Sequence, residues 1–274
     1  MKRILLPTDF SSNARRALLY LIDLIKDQKE VFEITLLHTY NLNTLDDVLI
    51  SIEDVVEKDI NESMEYELSY ARSLVKNNSI SFKSILKKGS LDKVVEQILK
   101  KYSFNLIVMG TKGAHNKSTN IIGTNTSKIV LNSTIPVLCV PDKNRDSQQK
   151  STNVTVLLDD EDFECFNHDW FLNLLEKKKL ANVEYLHFYN KEKPHLVKLA
   201  PSLQNRALSL LQTESITDGI QKFLNSAHQD LLVMTPKKES LWDDLISPSV
   251  TKIMAQIAQV PILALKKEGP GAYH

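Results

Sequence analysis

The sequence predicts an α/β fold built from two tandem domains, each with an open parallel sheet of five strands. Short apolar runs alternate with amphipathic helical segments, which is the pattern of βαβ units in a parallel sheet. At 274 residues the chain is long enough for two domains of ordinary size. Residues 142–152 contain no apolar side chain and have the composition of an exposed linker between two domains.

The first half supplies every element of one such domain in order. Its strands are short apolar runs that end at turn residues, and we place them at Arg3–Leu6, Phe32–His38, Ile80–Leu86, Phe104–Met109 and Pro136–Val140. The helices between them carry apolar residues at helical spacing, and we place them at Asn13–Asp27, Leu45–Lys76, Ser90–Lys101 and Thr124–Leu131. Ser11 or Ser12 is the predicted cap of the first helix.

The second half repeats segments of the first half in the same order. The matching pairs are 33–41 with 183–190, 105–109 with 230–234, and 135–140 with 260–265. Three ordered matches indicate an internal duplication, and the repeat is too long for a solenoid. The predicted organisation is a first domain over 1–142, a linker over 143–152, a second domain over 153–267 and a disordered tail over 268–274.

Composition and charge argue against several classes of protein. Lys plus Arg and Asp plus Glu both number 34, and the zero net charge argues against binding to nucleic acid or to an acidic membrane surface. Two cysteines are too few for a disulfide framework, which favours a reducing compartment. The N-terminal apolar run is too short for a secretory signal, and no run approaches the roughly 20 residues of a membrane span. We therefore expect a soluble, cytoplasmic protein.

The strongest chemical motif is the loop from Met109 to Thr124. Three of the seven glycines, Gly110, Gly113 and Gly123, fall within fourteen residues here. Glycine lets a backbone turn tightly and approach a phosphate, and the N-terminus of the following helix favours an anion. The loop matches neither a Walker motif nor Gly-x-Gly-x-x-Gly. Spacing alone supports a phosphate cradle and a tight turn with an ordinary helix cap equally well.

Pro7, Thr8 and Asp9 form a second motif, at the end of the first strand. A carboxylate in this place can accept hydrogen bonds from an adenine amine or from ribose hydroxyls. The alternative is a helix-capping or first-turn carboxylate, which the residues by themselves favour. Thr39 follows the second strand, where it could offer backbone groups to a base or simply end the strand.

Together these motifs resemble those of the universal stress protein family. The spacing Gly110-x2-Gly113-x9-Gly123-Thr124 is similar to the family's nucleotide-binding motif, and supporting matches lie at 3–11, 36–38, 106–110 and 136–140. The resemblance covers 1–142 with good specificity and 153–267 more weakly, so the whole chain is similar to a tandem member. It implies the adenine nucleotide alpha hydrolase-like, Rossmann-type fold for both domains.

The resemblance also implies a binding site for ATP or AMP in the first domain, where any bound Mg²⁺ would accompany the phosphates. It places adenine and ribose near Asp9, Thr39 and Met109. It places the phosphates on Gly110, Gly113, Gly123, Thr124, Asn125 and Thr126. It further implies that 136–140 and 261–265 pair edge to edge as an intramolecular pseudo-dimer, with further homodimerisation left open.

The second domain departs from this pattern. Met234 is followed by Thr235-Pro-Lys-Lys238, so both early glycines are absent, and Ser247-Pro248 stands at the position of Gly123-Thr124. Proline offers no N–H to a phosphate, and the four acids at 159–162 would repel one. We expect this domain to bind no ATP, and to hold a different ligand or serve as a packing partner.

No nucleophile with a neighbouring base is evident, so we expect slow ATP hydrolysis or none. The leading hypothesis is a nucleotide-binding stress-response regulator. The alternatives are a scaffold or interaction module without a working nucleotide site and, third, a hydrolase or transferase. Zinc at Cys165, His168 and His187 would need further ligands, so no metal site is expected. His38 and His187 stand at equivalent strand ends, where a structural bond to a neighbouring loop is favoured over catalysis.

Overall fold

The computed structural model divides the chain into two compact units. The structure describes residues 1–41, 50–76, 78–111, 123–142, 152–158, 181–189, 208–213, 219, 222–223, 229–234 and 260–266. The first unit spans the described residues up to Asp142, and the second unit spans those from Thr152 onward. Each unit is treated below by itself.

The first unit contains every strand and helix that the sequence predicts for it. In chain order they are β1 Lys2–Pro7, α1 Ser12–Ile25, β2 Phe32–Tyr40, α2 Ile50–Ser73, β3 Ile80–Lys88, α3 Leu91–Lys101, β4 Leu106–Gly110, α4 Thr124–Asn132 and β5 Val137–Val140. The strands pair in parallel in the order β3-β2-β1-β4-β5. The predicted α/β class and open parallel sheet are confirmed.

Burial explains why the central strands are continuous apolar runs. Ile4 and Leu5 in β1 and 106–108 in β4 have no exposed side-chain area, as expected for strands covered on both faces. At the edge, β3 alternates instead, with Ile80 and Phe82 buried and Lys83 exposed. Apolar burial of this extent is the main favourable contribution to the stability of the sheet.

Helix α1 shows how local sequence sets an element's position. The Ser11 side chain accepts a hydrogen bond from the Ala14 N–H at 3.2 Å, which caps the first turn. The residues buried along α1 recur at helical spacing: Ala14, Ala17, Leu18, Leu21, Ile22 and Ile25. Of the two predicted caps, Ser11 is therefore the one used. Over the part of the chain that the structure describes, no helix is long and apolar enough to cross a membrane.

The second unit repeats the sheet of the first. Its strands are β6 Thr152–Leu158, β7 Ala181–Tyr189, β8 Leu208–Gln212, β9 Leu231–Met234 and β10 Ile262–Ala264. They pair in parallel in the order β10-β9-β6-β7-β8, which is the order of the first sheet read from the other edge. The predicted duplication is therefore present in the strand topology.

A side-chain contact is duplicated as well. The Arg3 N–H donates to Asn105 Oδ1 at 2.9 Å, and the Asn153 N–H donates to Asp230 Oδ2 at 2.8 Å. Each pair joins the start of a unit's first strand to the residue preceding its fourth. The shared contact shows that Arg3 in the first unit corresponds to Asn153 in the second unit.

The start of the second unit differs slightly from the predicted boundary. β6 begins at Thr152, the last residue assigned to the linker, because Thr152 already pairs with Ala181 in the strand register. The apolar pattern begins only at Val154, so the sequence predicts the start of the second domain one residue after the start of β6. The rest of the linker, 143–151, and the tail, 268–274, lie outside the described residues.

Candidate functional site at the carboxyl edge of the first sheet

The strand order brings most of the predicted site residues to one edge of the sheet. β1 lies between β2 and β4, and the direction in which the chain winds reverses between β1 and β4. In open parallel sheets, ligands bind in the crevice that this reversal opens at the carboxyl ends. The residues at those ends are Pro7 of β1 with Thr8 and Asp9 directly after it, Thr39 of β2, and Met109 and Gly110 of β4. Thr39 lies within β2 and does not follow it, because β2 continues to Tyr40.

The segment that follows β1 is a closely bonded turn. The Thr8 N–H donates to the Leu37 carbonyl at 2.8 Å, and Thr8 Oγ1 accepts from the Phe10 N–H at 3.1 Å. The exposed Asp9 accepts from the Ser11 N–H through Oδ1 at 3.1 Å. Because Ser11 caps α1, the alternative of Asp9 as the helix cap is not what the structure shows. An ionised carboxylate has two oxygens and can accept several hydrogen bonds at once.

His38 supports this turn from the neighbouring strand. Its Nδ1 lies 2.8 Å from the Thr8 carbonyl oxygen, and its ring stacks on Phe10 with centroids 4.4 Å apart. In the second unit, His187 Nδ1 lies 3.0 Å from the Leu158 carbonyl oxygen. The predicted structural bond to a neighbouring loop is therefore present for His38, whereas the partner of His187 is the last residue of β6.

Gly110 ends β4 against the side chain of Asn13. A Cβ added at Gly110 would lie 2.8 Å from Asn13 Cγ, which is too close for any side chain. Asn13 is 5% exposed and lies among the apolar residues of α1. Sequence reasoning missed Asn13; the available signal was a polar residue four positions before Ala17 on the buried face.

The N-terminus of α4 is bonded to the same strand end. The Gly123 N–H donates to the Thr111 carbonyl at 2.7 Å, and the Thr126 hydroxyl donates to the Gly110 carbonyl at 3.1 Å. Gly123 is the N-cap residue, and Thr124 and Asn125 are exposed. The first N–H groups of a helix have no intrahelical acceptor, so this end favours an anion. Gly113 lies outside the described residues.

These bonds refine the role that can be given to Thr126. Its side chain is 3% exposed, and its hydroxyl proton is donated to Gly110. The backbone N–H of Thr126, in the first turn of α4, is the group left to face an anion. The sequence cannot distinguish these two uses, because a threonine at this position supplies both a hydroxyl and a backbone N–H.

A separate groove of about 530 Å³ lies between α3 and α4, and none of the predicted site residues lines it. At its rim, a hydrogen bond from the Ser90 hydroxyl, aided by the Lys93 N–H and the Lys128 charge, holds the pKa of Asp92 below its usual value. The groove is therefore distinct from the edge that carries the predicted motifs.

The counterparts of the glycine loop in the second unit are not described. Thr235, Lys238, Ser247, Pro248 and the acids at 159–162 lie outside the described residues, as do Cys165 and His168. The expectation of a degenerate second site therefore stays a prediction from sequence.

With this geometry established, comparison with known proteins identifies the family. The family model described as "Universal stress protein family" matches residues 1–141. The chain belongs to the universal stress protein family. A search of curated proteins finds no match. The match covers the first unit, which holds the glycine motif and the Asp9 turn.

Solved structures extend the likeness of fold to both units. One from Archaeoglobus fulgidus DSM 4304 has a TM-score of 0.69 and 19% identity, and the alignment covers 97% of this chain and 96% of that one. A functionally unknown protein from Pseudomonas aeruginosa PAO1 has a TM-score of 0.51 and 11% identity, over 97% and 93%. The chain is thus a tandem member of the family.

A single-unit likeness is also found. A universal stress protein family protein from Arabidopsis thaliana, solved with AMP bound, shares 16% identity with a TM-score of 0.37. The alignment covers 51% of this chain and 90% of that one.

Proposed function

We propose that this universal stress protein binds one adenine nucleotide, ATP or AMP, in its first unit and acts as a nucleotide-responsive stress regulator. The observation that carries the proposal is the joining of the β4 end to the α4 N-terminus beside the Asp9 turn. Thr126 bonds to Gly110 and Gly123 bonds to Thr111, so a glycine strand end and an anion-favouring helix end meet at one point. The anionic phosphates of a nucleotide would lie at this point, and its nucleoside would lie against the neighbouring Asp9 turn.

Each end of the site has a separate task in this proposal. Asp9 accepts hydrogen bonds from the nucleoside, while Thr39 and Met109 contact it from the neighbouring strand ends. The phosphates lie against the backbone of Gly110 and Gly113 and the N-terminus of α4 at 123–126. Mg²⁺, if bound, would be held mainly by the phosphate oxygens. Because no nucleophile with a neighbouring base is evident in the sequence, we expect turnover to be slow or absent.

The second unit has no nucleotide in this proposal, because glycines are replaced at 235 and 238 and proline stands at 248. It serves as a packing partner or holds another ligand. Pairing of 136–140 with 261–265 remains a prediction, as does a cytoplasmic location. A scaffold or interaction module that binds no nucleotide is the alternative.

The test is to measure nucleotide bound to the full-length protein. Mass spectrometry after mild denaturation of natively purified protein should find one adenine nucleotide per chain, and calorimetry with ATP or AMP, with and without Mg²⁺, should give one site. Asp9→Ala should weaken binding about tenfold, as expected for loss of a hydrogen bond to a charged group. Gly113→Val should abolish binding, because a branched side chain blocks the phosphate approach.

The matched control is Asp23→Ala, which removes another exposed carboxylate of the same unit. It should leave the affinity unchanged. Two nucleotides per chain would show that the second site is active. No nucleotide, and no thermal shift with excess ATP and Mg²⁺, would overturn the proposal in favour of the scaffold alternative.

A further inference from the structure

We infer that His38 is a positioning residue that holds Asp9 in the orientation needed to receive a nucleoside. The inference rests on the proposed nucleotide site and adds to it a residue that would itself contact no ligand. His38 lies near the carboxyl end of β2, directly before Thr39, and its contacts cross to the turn that carries Asp9. It therefore couples the carboxyl ends of β1 and β2.

The first contact sets the protonation pattern of the ring. A carbonyl oxygen can only accept, so the 2.8 Å bond between His38 Nδ1 and the Thr8 oxygen requires Nδ1 to carry the proton. The same proton is present in the neutral and the cationic ring. The contact thus holds the peptide unit between Thr8 and Asp9 on its β1 side.

The second contact acts on the other neighbour of Asp9. Phe10 has a φ of 62°, in the left-handed region that bulky residues rarely adopt. Such a conformation persists only where the surroundings over-determine it. Here the Phe10 N–H donates to Thr8 Oγ1 at 3.1 Å, and its ring lies on His38 with an interplanar angle of 23°. His38 therefore restrains the residues on both sides of Asp9.

Comparison with the second unit distinguishes the roles of the two His38 contacts. His187 makes the same carbonyl bond, at 3.0 Å to Leu158, so that bond belongs to the duplicated fold. By the register that aligns Leu158 with Thr8, the residue at the position of Phe10 is Asp160, which has no ring to stack. The aromatic stack is added in the unit that carries the nucleotide motif, which ties it to the site more than to the sheet.

The test is a double-mutant cycle between His38 and Asp9, with ATP affinity measured by calorimetry on the full chain. His38→Phe keeps an aromatic ring but loses the donor, and His38→Asn keeps an N–H donor near the position of Nδ1. We expect His38→Asn, which loses the ring that stacks on Phe10, to weaken ATP binding about tenfold, and His38→Phe, which keeps a ring, to lose less. In the Asp9→Ala background, His38→Asn should have no further effect. The control, His187→Asn, should leave affinity unchanged.

A measurement without ligand tests the turn itself. A strong intraresidue HN–Hα NOE at Phe10 should report the positive φ in the wild type and in His38→Phe, and should weaken in His38→Asn. Additive losses in the cycle, or an unchanged Phe10 NOE in His38→Asn, would overturn the role of His38. Failure of the wild type to bind ATP would instead overturn the proposed function, while the NOE would still decide whether His38 holds the turn.

Discussion

The two units share one framework and differ at the residues that could meet a ligand. Both join the first and fourth strands through an Asn or Asp side chain, and both place a histidine against a carbonyl at the carboxyl end of the first strand. These contacts lie at the ends of the strands and recur in either copy. The two copies differ in residue type at the edge that carries the site, since Gly110 corresponds to Thr235 and Phe10 to Asp160. A duplicated fold thus keeps its internal bonds while its edge is open to change.

The cores of the two units also differ at the position of Leu5. Leu5 is fully buried in β1, whereas its counterpart Thr155 is fully buried in β6 and donates to Gln229 Oε1 at 2.6 Å. Gln229 corresponds to the half-buried Phe104 by the same register. Two apolar residues in one unit are therefore replaced by a hydrogen-bonded polar pair in the other. The polar pair is tolerated in the interior because its two side chains are hydrogen-bonded to each other, and only an unpaired buried polar group is costly.

The largest expected effect tests the glycine that distinguishes the two strand ends. Gly110→Ala should reduce the free energy of unfolding by about 2 kcal/mol, because its Cβ would lie 2.8 Å from Asn13 Cγ. Urea unfolding measures the change, and hydrogen exchange of peptides from 1–142 assigns it to the first unit. Asn13→Ala in the same background should recover part of the loss. Full stability of the single variant would show that this edge tolerates a side chain.

A smaller effect is expected where the second unit uses polar pairing. Thr155→Val keeps the side-chain shape but leaves Gln229 Oε1 without its donor, which should cost about 1 kcal/mol. Adding Gln229→Leu should restore much of the stability by removing the unpaired group. Urea unfolding with hydrogen exchange of β6 peptides is the measurement. If the single and double variants are equally unstable, the hydrogen bond does not account for the difference between the cores.

The smallest effect concerns acid stability in the first unit. The folded pKa of Asp92 is held below its usual value by the Ser90 hydroxyl, and also by the Lys93 N–H and the charge of Lys128. Its stabilising contribution is therefore present above the unfolded pKa of about 4 and is lost as the pH falls through the folded pKa. Asp92→Asn should lower stability at pH 7 by about 0.5 kcal/mol or less.

The pH profile separates this effect from a loss of packing. Unfolding curves between pH 7 and pH 2 should bring Asp92→Asn and the wild type together at the acid end, since both side chains are then uncharged. Lys128→Met tests the weaker, electrostatic contribution and should have a smaller effect than Asp92→Asn. A constant gap between Asp92→Asn and wild type at every pH would contradict the electrostatic origin.

Much of the candidate site is predictable because its motifs are local in sequence. Asp9 directly follows an apolar strand, and the spacing of Gly110 and Gly123 around a loop is visible without any structure. Parallel topology then brings such strand ends to one edge. The contact of Asn13 with Gly110 is not predictable in this way, because it joins a helix face to a strand end far along the chain.

The sequence by itself determined the α/β class, the duplication and the residues that follow each strand. Apolar periodicity reports which face of an element is buried, and repeated segments report which elements correspond. Only the tertiary structure decided that Phe10 takes a positive φ against His38, that Thr126 donates to Gly110, and that Thr155 pairs with Gln229. Those contacts depend on strand register and helix packing, which place side chains together irrespective of their separation along the chain.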